Sequence, residues 1–325
     1  MTKFAYILAA SHSGSTLLSM LLSAHSQIAT VGEIKLSASA MGEIDRYRCS
    51  CGEFICQCDF WRKVKKGMAE RGFEFDLAYA GTDYRTVESR YARRLLGPMH
   101  RGKILETVRD VALGFSPAWR KQLLEIHRRN AALASTVSDI TEAEIVVDSS
   151  KIAVRLKYLL KNPELDIKVI RLIRDGRGVA LTYMDPAGYA DAKEPSLRGG
   201  GSGVQRKSER LSITQAASEW RRCNEEAEHI LCPLDKSQWI EVRYEELCRD
   251  TENALARLFE FLGLDPDTRA RDFRSVESHI VGNGMRLDTT SRISLDERWR
   301  TVLTEEELHI FNREAGEMNR RYGYV

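Results

Sequence analysis

The stretch "FAYILAASHSGSTLL", residues 4–18, changes character twice within fifteen residues. Phe4 to Ala10 is a short apolar run, the pattern of a strand buried on both faces in a parallel sheet. Ser11 to Thr16 is small, hydroxylated and flexible. From Thr16 to Ala24 the spacing of Leu17, Leu18, Met20, Leu21 and Leu22 predicts a helix that is apolar over most of its surface. A strand, a Ser/Gly loop and a helix in this order place unpaired N–H groups and the positive end of a helix dipole at the loop, which suits an anion. Gly14 lets the backbone approach a ligand closely, and Ser13, Ser15 and Thr16 offer hydroxyl donors. The bland alternative is an ordinary strand-to-helix turn with a Ser/Thr cap. A nucleotide triphosphatase loop would end in Gly-Lys-Ser/Thr. This one does not, and His12 stands among its serines.

Further along, the same alternation recurs. "EIVVDSS" (144–150) reads as a buried strand, followed by a helix in "VRLKYLLKN" that Asn162-Pro163 closes. "DIKVIRLIRD" (166–175) is the next strand, and "GVALTYM" begins the next helix. "QWIEVRYEEL" (238–247) reads as the last strand, with its helix in "TENALARLFEFLGL" (251–264) and Gly263 near the end of that helix. Alternating strands and helices imply a parallel α/β sheet whose ligands bind beyond the carboxyl ends of the strands. Residues 60–135 carry two or three amphipathic helices with a break at Gly97-Pro98. Residues 185–212 are rich in Gly, Ser and charge and are expected to be a mobile loop within a single domain spanning 1–325, because strand pattern resumes afterwards.

Composition narrows the class. There are 49 Lys and Arg against 47 Asp and Glu, a net charge of +2, which argues against a general nucleic-acid binder and makes any anion site local. No apolar run is long enough to span a membrane, and no secretion signal is visible, so the expected location is cytoplasmic. Seven cysteines, an odd number, argue against a disulfide framework. Four of them, Cys49, Cys51, Cys56 and Cys58, form C-x-C-x4-C-x-C. Zinc sites more often use C-x2-C pairs, so the leading expectation is plain thiols in a loop near the acceptor cleft and no metal, with a redox-sensitive pair or a metal site as the alternatives.

A second anion site lies in "RLIRDGRGVALT" (171–182). Arg174 at a strand tip and Thr182 about two helical turns beyond could clamp one phosphate. Alone, an Arg-Asp pair at a strand end is more often a surface ion pair. With the 11–16 loop it suggests a ligand bearing two separated phosphate-like groups.

On these residues the sequence resembles the sulfotransferases that use 3′-phosphoadenosine-5′-phosphosulfate (PAPS). Their phosphosulfate loop, Lys/Arg-Ser-Gly-Ser/Thr-Ser/Thr, matches His12-Ser13-Gly14-Ser15-Thr16, with His12 departing from the usual cation. Their 3′-phosphate stretch, Arg-Asp/Asn-x-Arg/Lys-x4-Ser/Thr, matches Arg174 to Thr182. "VRYEEL" with "LFEFLGL" resembles the segment carrying the family tyrosine, here Tyr244. "VVDSSK" and "VGNGMRLDTTSRISLDERW" resemble bacterial and plant members. The resemblance implies a P-loop-like three-layer fold with a central parallel sheet of about five strands flanked by helices. It implies PAPS as sulfuryl donor and an acceptor hydroxyl or amine on a small molecule, lipid or carbohydrate, with no metal required. Glu33 in "ATVGEI" is expected as the base, as in family members that sulfate protein tyrosine. Lys151 is expected at the reacting oxygens and His12, protonated once the donor is bound, at the leaving oxygen. Asn283 and Arg286 in a Gly-flanked loop are expected to close over the nucleotide. Asp148 is expected to orient neighbours, Trp220 to pack, Asn224 to bond the cofactor or a loop, and His25 to cap or pack. A P-loop kinase of a small metabolite, which the missing Gly-Lys-Ser/Thr disfavours, and a non-catalytic nucleotide-binding protein are the alternatives.

Overall fold

A computed structural model of the chain describes residues 1–35, 47–85, 89–96, 102–199 and 210–325. Strand β1 (Thr2–Ala9) leads through the 11–16 loop into α1 (Ser15–Leu22), and β2 (Ile28–Gly32) follows. Helices α2 (Asp59–Glu70), α3 (Arg90–Leu95), α4 (Gly102–Gly114) and α5 (Pro117–Thr141) come next, then β3 (Ile145–Lys151), α6 (Ala153–Leu159) and β4 (Leu165–Ile173). Beyond these lie α7 (Gly176–Met184), α8 (Pro186–Tyr189), α9 (Ile213–Leu231), β5 (Trp239–Arg243), α10 (Tyr244–Arg249), α11 (Thr251–Leu262), α12 (Trp299–Val302) and α13 (Glu305–Arg321).

The five strands are all parallel, in the order β2-β3-β1-β4-β5. This is the α/β sheet expected. The central strand shows why its sequence is apolar without alternation. Phe4, Tyr6 and Leu8 pack into a core with Val64, Met68, Leu133 and Val137 of α2 and α5. Ala5, Ile7 and Ala9 face the opposite core with residues of α1 and α11 such as Leu21, Leu258 and Phe259. Both faces are therefore covered by helices, giving three layers. Because β1 sits between β3 and β4, the chain reverses its direction of travel through the sheet there, and a crevice opens beyond the end of β1. The 11–16 loop lies in that crevice.

Several boundaries differ from the sequence reading. β5 ends at Arg243, and Tyr244 opens α10 instead of continuing the strand to residue 247. Glu245 and Glu246 favour a helix start through the dipole, and the buried Tyr244 and Leu247 stand at helical spacing. Four helices, not two or three, fill the region between β2 and β3 among the described residues. The Gly97-Pro98 break lies outside the described residues, as do 200–209 of the predicted mobile loop. The part of that loop described, 185–199, contains α8 and a 3₁₀ turn at Pro195–Leu197. β2 was not anticipated as a strand, since five buried residues give too short a period to read. No helix among the described residues is long and apolar enough to cross a membrane.

The end of β2 is the tightest point in the fold. Gly32 has φ +79°, and a Cβ there would stand 1.9 Å from the Val281 carbonyl oxygen. That carbonyl accepts from Glu33 N at 3.2 Å, and Val281 N donates to Val31 O at 2.9 Å. A distant segment is thereby laid along β2, and Glu33 is pointed by the turn. Gly32→Ala is expected to cost more than about 1 kcal/mol, through strain at positive φ and displacement of backbone. A urea midpoint equal to that of the parent would contradict this reading.

Candidate functional site

The loop at the end of β1 is shaped by two residues in left-handed backbone, His12 at φ 63° and Gly14 at φ 93°. Gly14 is the N-cap of α1 and has no side-chain cap, so the first N–H groups of that helix keep no such partner. Tyr244 packs on Gly14 so closely that a Cβ there would meet its ring at 2.5 Å. His12 O accepts from Arg174 Nη1 at 2.8 Å, which ties the loop to the tip of β4. The His12 ring meets Tyr183 edge-on at 4.8 Å. His12 Nδ1 and Ser13 Oγ are buried without a hydrogen-bond partner. Both atoms are thereby available to a ligand at this loop.

Burial and the nearby Lys151 and Arg174 charges push the His12 pKa down to about 3, with Glu33 opposing. Without a bound anion, then, His12 is neutral, unlike the protonated state expected with donor bound. The native state takes up a proton on His12 only near pH 3, whereas the unfolded chain does so near ~6.5. Its contribution to stability is therefore complete above about pH 6.5 and is lost as pH falls towards 3. His12→Asn, which tolerates positive φ, should flatten the fall in thermal midpoint between pH 7 and 5. An unchanged slope would show that His12 does not titrate this way.

On one side of the loop is a cavity of about 570 Å³. Its walls include His12, Gly14, Thr16, Arg174, Thr182, Tyr244 and Asn283, so the structure brings together most of the predicted donor site. Arg174 lies over the Tyr244 ring at 4.5 Å and donates to Asp296 Oδ2 at 2.9 Å. Thr182 bonds back to Gly178 O at 3.0 Å and lines the same cavity. Ser13 and Ser15 are buried in the loop and the first turn of α1. Arg286 is placed differently from the expectation. It does not line the cavity: its guanidinium donates to the carbonyls of Gly282, Asn283 and Arg48 and lies over Tyr47 at 4.7 Å. It braces the loop that presents Asn283.

On the other side, beyond Ser11, is a smaller cavity of about 180 Å³. Lys151, at φ 70°, and Lys35 reach it from β3 and from the turn after β2. Both contact Glu33: Lys151 donates to Oε1, and Lys35 stands 3.1 Å from Oε2. Burial alone would raise the Glu33 carboxyl, but the two ammonium groups overcome it and hold its pKa at about 2. Burial lowers the Lys151 pKa, and Glu33 opposes this. Glu33 is thus ionised but a feeble proton acceptor while Lys151 holds it. Asp148 orients the group as expected: it accepts from Ile34 N at 3.2 Å, from Ser150 N at 2.8 Å and from the buried Arg155. Ser150 Oγ in turn accepts from Lys35 N at 3.0 Å.

Other expectations separate cleanly. Trp220 packs against Phe311 and Tyr322 and donates to Arg174 O at 3.3 Å. Asn224 bonds back to Trp220 O at 2.9 Å, within its own helix. His25 joins Asp265 O and Gln27 N at the far end of α1 and belongs to the packing. Lys35 and Asp296 escaped the sequence reading. Lys35 had a signal, standing two residues after Glu33, but Asp296 had none without the fold. Three of the four clustered cysteines, Cys49, Cys51 and Cys58, meet His279, and Cys56 stands apart and exposed.

The sulfotransferase family profile matches residues 5–268, and the chain belongs to that family. It is 28% identical over 140 residues to carbohydrate sulfotransferase 1 of Mus musculus, covering 42% of this chain and 31% of that protein. It is 30% identical over 133 residues to carbohydrate sulfotransferase 1 of Danio rerio, covering 39% and 30%. Carbohydrate sulfotransferase 2 of Homo sapiens matches over 185 residues at 24% identity, covering 47% and 34%. The chain thus spans about a third of the length of the curated relatives it matches. Among solved structures, the sulfotransferase domain from the curacin biosynthetic pathway aligns with 100% of this chain and 99% of its own, at 16% identity and TM-score 0.44. Retinol dehydratase in complex with androsterone and inactive cofactor PAP aligns with 97% and 80%, at 11% identity and TM-score 0.39.

Proposed function

We propose that the chain transfers a sulfuryl group from PAPS to an acceptor hydroxyl or amine across the 11–16 loop. The observation that carries this reading is the placement of that loop. Its residues line both cavities: His12, Gly14 and Thr16 face the one with Arg174 and Thr182, and Ser11 faces the one with Lys151 and Lys35. The unpartnered His12 Nδ1 and Ser13 Oγ, beside an uncapped helix start, fit the 5′-phosphosulfate end of such a donor. PAPS, when bound, supplies an activated sulfuryl group and a phosphate leaving group.

This chain's residues do the rest. Backbone N–H groups at Gly14 to Thr16 and the Ser13 hydroxyl hold the phosphosulfate, and Arg174 with Thr182 holds the 3′-phosphate. Lys151 turns from Glu33 Oε1 towards the reacting oxygens, where positive charge stabilises what accumulates there. Released from Lys151, Glu33 becomes more basic and takes the acceptor proton. His12 Nδ1 faces the leaving oxygen, and the anion's full charges raise its pKa against burial.

The acceptor class we favour is a carbohydrate or other polyol. Charged side chains such as Arg85, Arg109 and Arg222 line the acceptor cavity but are paired with carboxylates, so they offer hydrogen bonds to hydroxyls rather than net charge. The relatives named as carbohydrate sulfotransferases agree with this choice. The test is transfer of labelled sulfuryl from PAPS to a panel of sugars, phenols, amines and lipids, with labelled ATP in parallel. Label on a sugar hydroxyl is the expected result. Phosphoryl transfer from ATP would move the protein to the kinases, and no transfer with tight nucleotide binding would leave a binding protein.

Arg174→Ala should weaken binding of adenosine 3′,5′-bisphosphate by about 2–3 kcal/mol, the worth of charge-assisted bonds to a phosphate. Unchanged affinity would remove Arg174 from the donor site.

A further inference from the structure

Cys49, Cys51, Cys58 and His279 belong to no step above, yet they converge from two distant parts of the chain. Their four ligand atoms all lie within 4.8 Å of one another. Three of the separations are 3.8 Å between Cys51 Sγ and Cys58 Sγ, 3.6 Å between Cys49 Sγ and His279 Nδ1, and 3.4 Å between Cys58 Sγ and His279 Nδ1. A tetrahedral zinc with Zn–S of about 2.3 Å and Zn–N of about 2.0–2.1 Å has edges of about 3.8 Å between sulfurs and about 3.6 Å from sulfur to nitrogen. These three spacings match those edges to within about 0.2 Å, and all six fall within 4.8 Å.

The surroundings are those of a metal ligand set. His279 turns Nδ1 to the sulfurs while Nε2 stands 3.3 Å from the Glu277 carboxylate, the outer contact that fixes tautomer and orientation in metal-bound histidines. Its ring is stacked on Phe60 at 4.4 Å and 4°. Cys49 and Cys51 lie on a tight turn closed by Gly52 N to Cys49 O at 3.0 Å, flanked by an antiparallel bridge between Arg48 and Phe54. Cys58 is the residue that caps α2. The C-x-C spacing is atypical in sequence because the fourth ligand is a histidine more than two hundred residues away.

We infer that Cys49, Cys51, Cys58 and His279 bind one zinc ion as a closed Cys₃His structural site. Four protein ligands leave no open position for a reactant. The ion ties the 49–58 turn to the segment that runs along β2 at Val281 and presents Asn283 to the donor cavity. The same junction is held by Tyr47 OH, which accepts from Gly282 N at 2.9 Å, and by Ser50 Oγ, which accepts from Ile280 N at 2.7 Å. Binding deprotonates the three thiols and releases those protons to solvent.

The test is elemental analysis of the freshly purified full chain, together with cobalt(II) titration of the reduced, metal-stripped chain. About one zinc per chain and a sulfur-to-cobalt charge-transfer band with tetrahedral ligand-field bands are expected. Cys56→Ser should keep both, while Cys58→Ser and His279→Ala should lose the stoichiometric metal. Glu277→Gln should weaken zinc by about 10–100-fold. Absence of zinc from the purified protein together with no cobalt band in the parent chain overturns the proposal, whatever the variants do. Full metal in Cys58→Ser, or a Cys51–Cys58 disulfide in place of metal, overturns it too. None of these readouts depends on sulfuryl transfer.

Discussion

Glu33→Gln is expected to lower kcat by about 10²–10⁴ while leaving affinity for adenosine 3′,5′-bisphosphate near that of the parent, since a positioned general base contributes in that range. The amide keeps the shape of the carboxylate, and its one oxygen can still accept from Lys151 or Lys35, but its NH2 then faces the other lysine donor to donor and it cannot take a proton. The Lys151 contact also shapes the pH dependence. In the free enzyme the carboxyl titrates at about 2, so kcat/KM should show no acid limb from Glu33 between pH 5 and 7. With donor bound and Lys151 drawn away, burial raises the carboxyl, and any acid limb from this group belongs to kcat. A variant that turns over at the parental rate on the true acceptor would make Glu33 a counter-ion for the buried Lys151 and the half-buried Lys35 and nothing more.

Lys151→Ala carries the second largest effect, a loss of about 10²–10³ in kcat, the cost of removing one positioned charge from developing negative charge. Lys151 lines the cavity of about 180 Å³ and not the one of about 570 Å³ that holds Arg174, so bisphosphate affinity should change far less than turnover. Its backbone, at φ 70°, is held by the end of β3. Lys151→Asn, which tolerates that conformation better than Ala, therefore separates loss of charge from loss of fold. Equal loss in both variants with intact unfolding midpoints assigns the effect to the ammonium. Parental turnover in Lys151→Asn would transfer the electrostatic role to His12 or Lys35.

The parts of this site that lie within one strand-loop-helix unit were legible in the sequence. The 11–16 loop, Arg174 with Thr182, and Lys151 each follow a continuous apolar run whose end is visible in one dimension. Arg286 was read from its Gly-flanked setting near a phosphate site, which says nothing of its protein partners. Only the fold shows that Arg48 and Gly282 place carbonyls around it. Tyr244 was assigned to a strand and opens a helix instead, because a strand and a helix share an apolar residue at their junction. His279 could not be read at all: its partners are set by a long-range crossing of two irregular segments, which no local period encodes. The same holds for Asp296, which reaches Arg174 across 122 positions of chain.

We propose above all that the cavity beside the 11–16 loop takes a nucleotide carrying phosphates at both its 3′ and 5′ positions. Titration calorimetry of the full chain with adenosine 3′,5′-bisphosphate, adenosine 5′-phosphate and ATP tests it most directly. The account predicts one bisphosphate per chain, with adenosine 5′-phosphate and ATP each weaker by about 2–3 kcal/mol for want of the 3′-phosphate, and with that preference abolished in Arg174→Ala. ATP binding as tightly as the bisphosphate, or a preference that survives in Arg174→Ala, would contradict it.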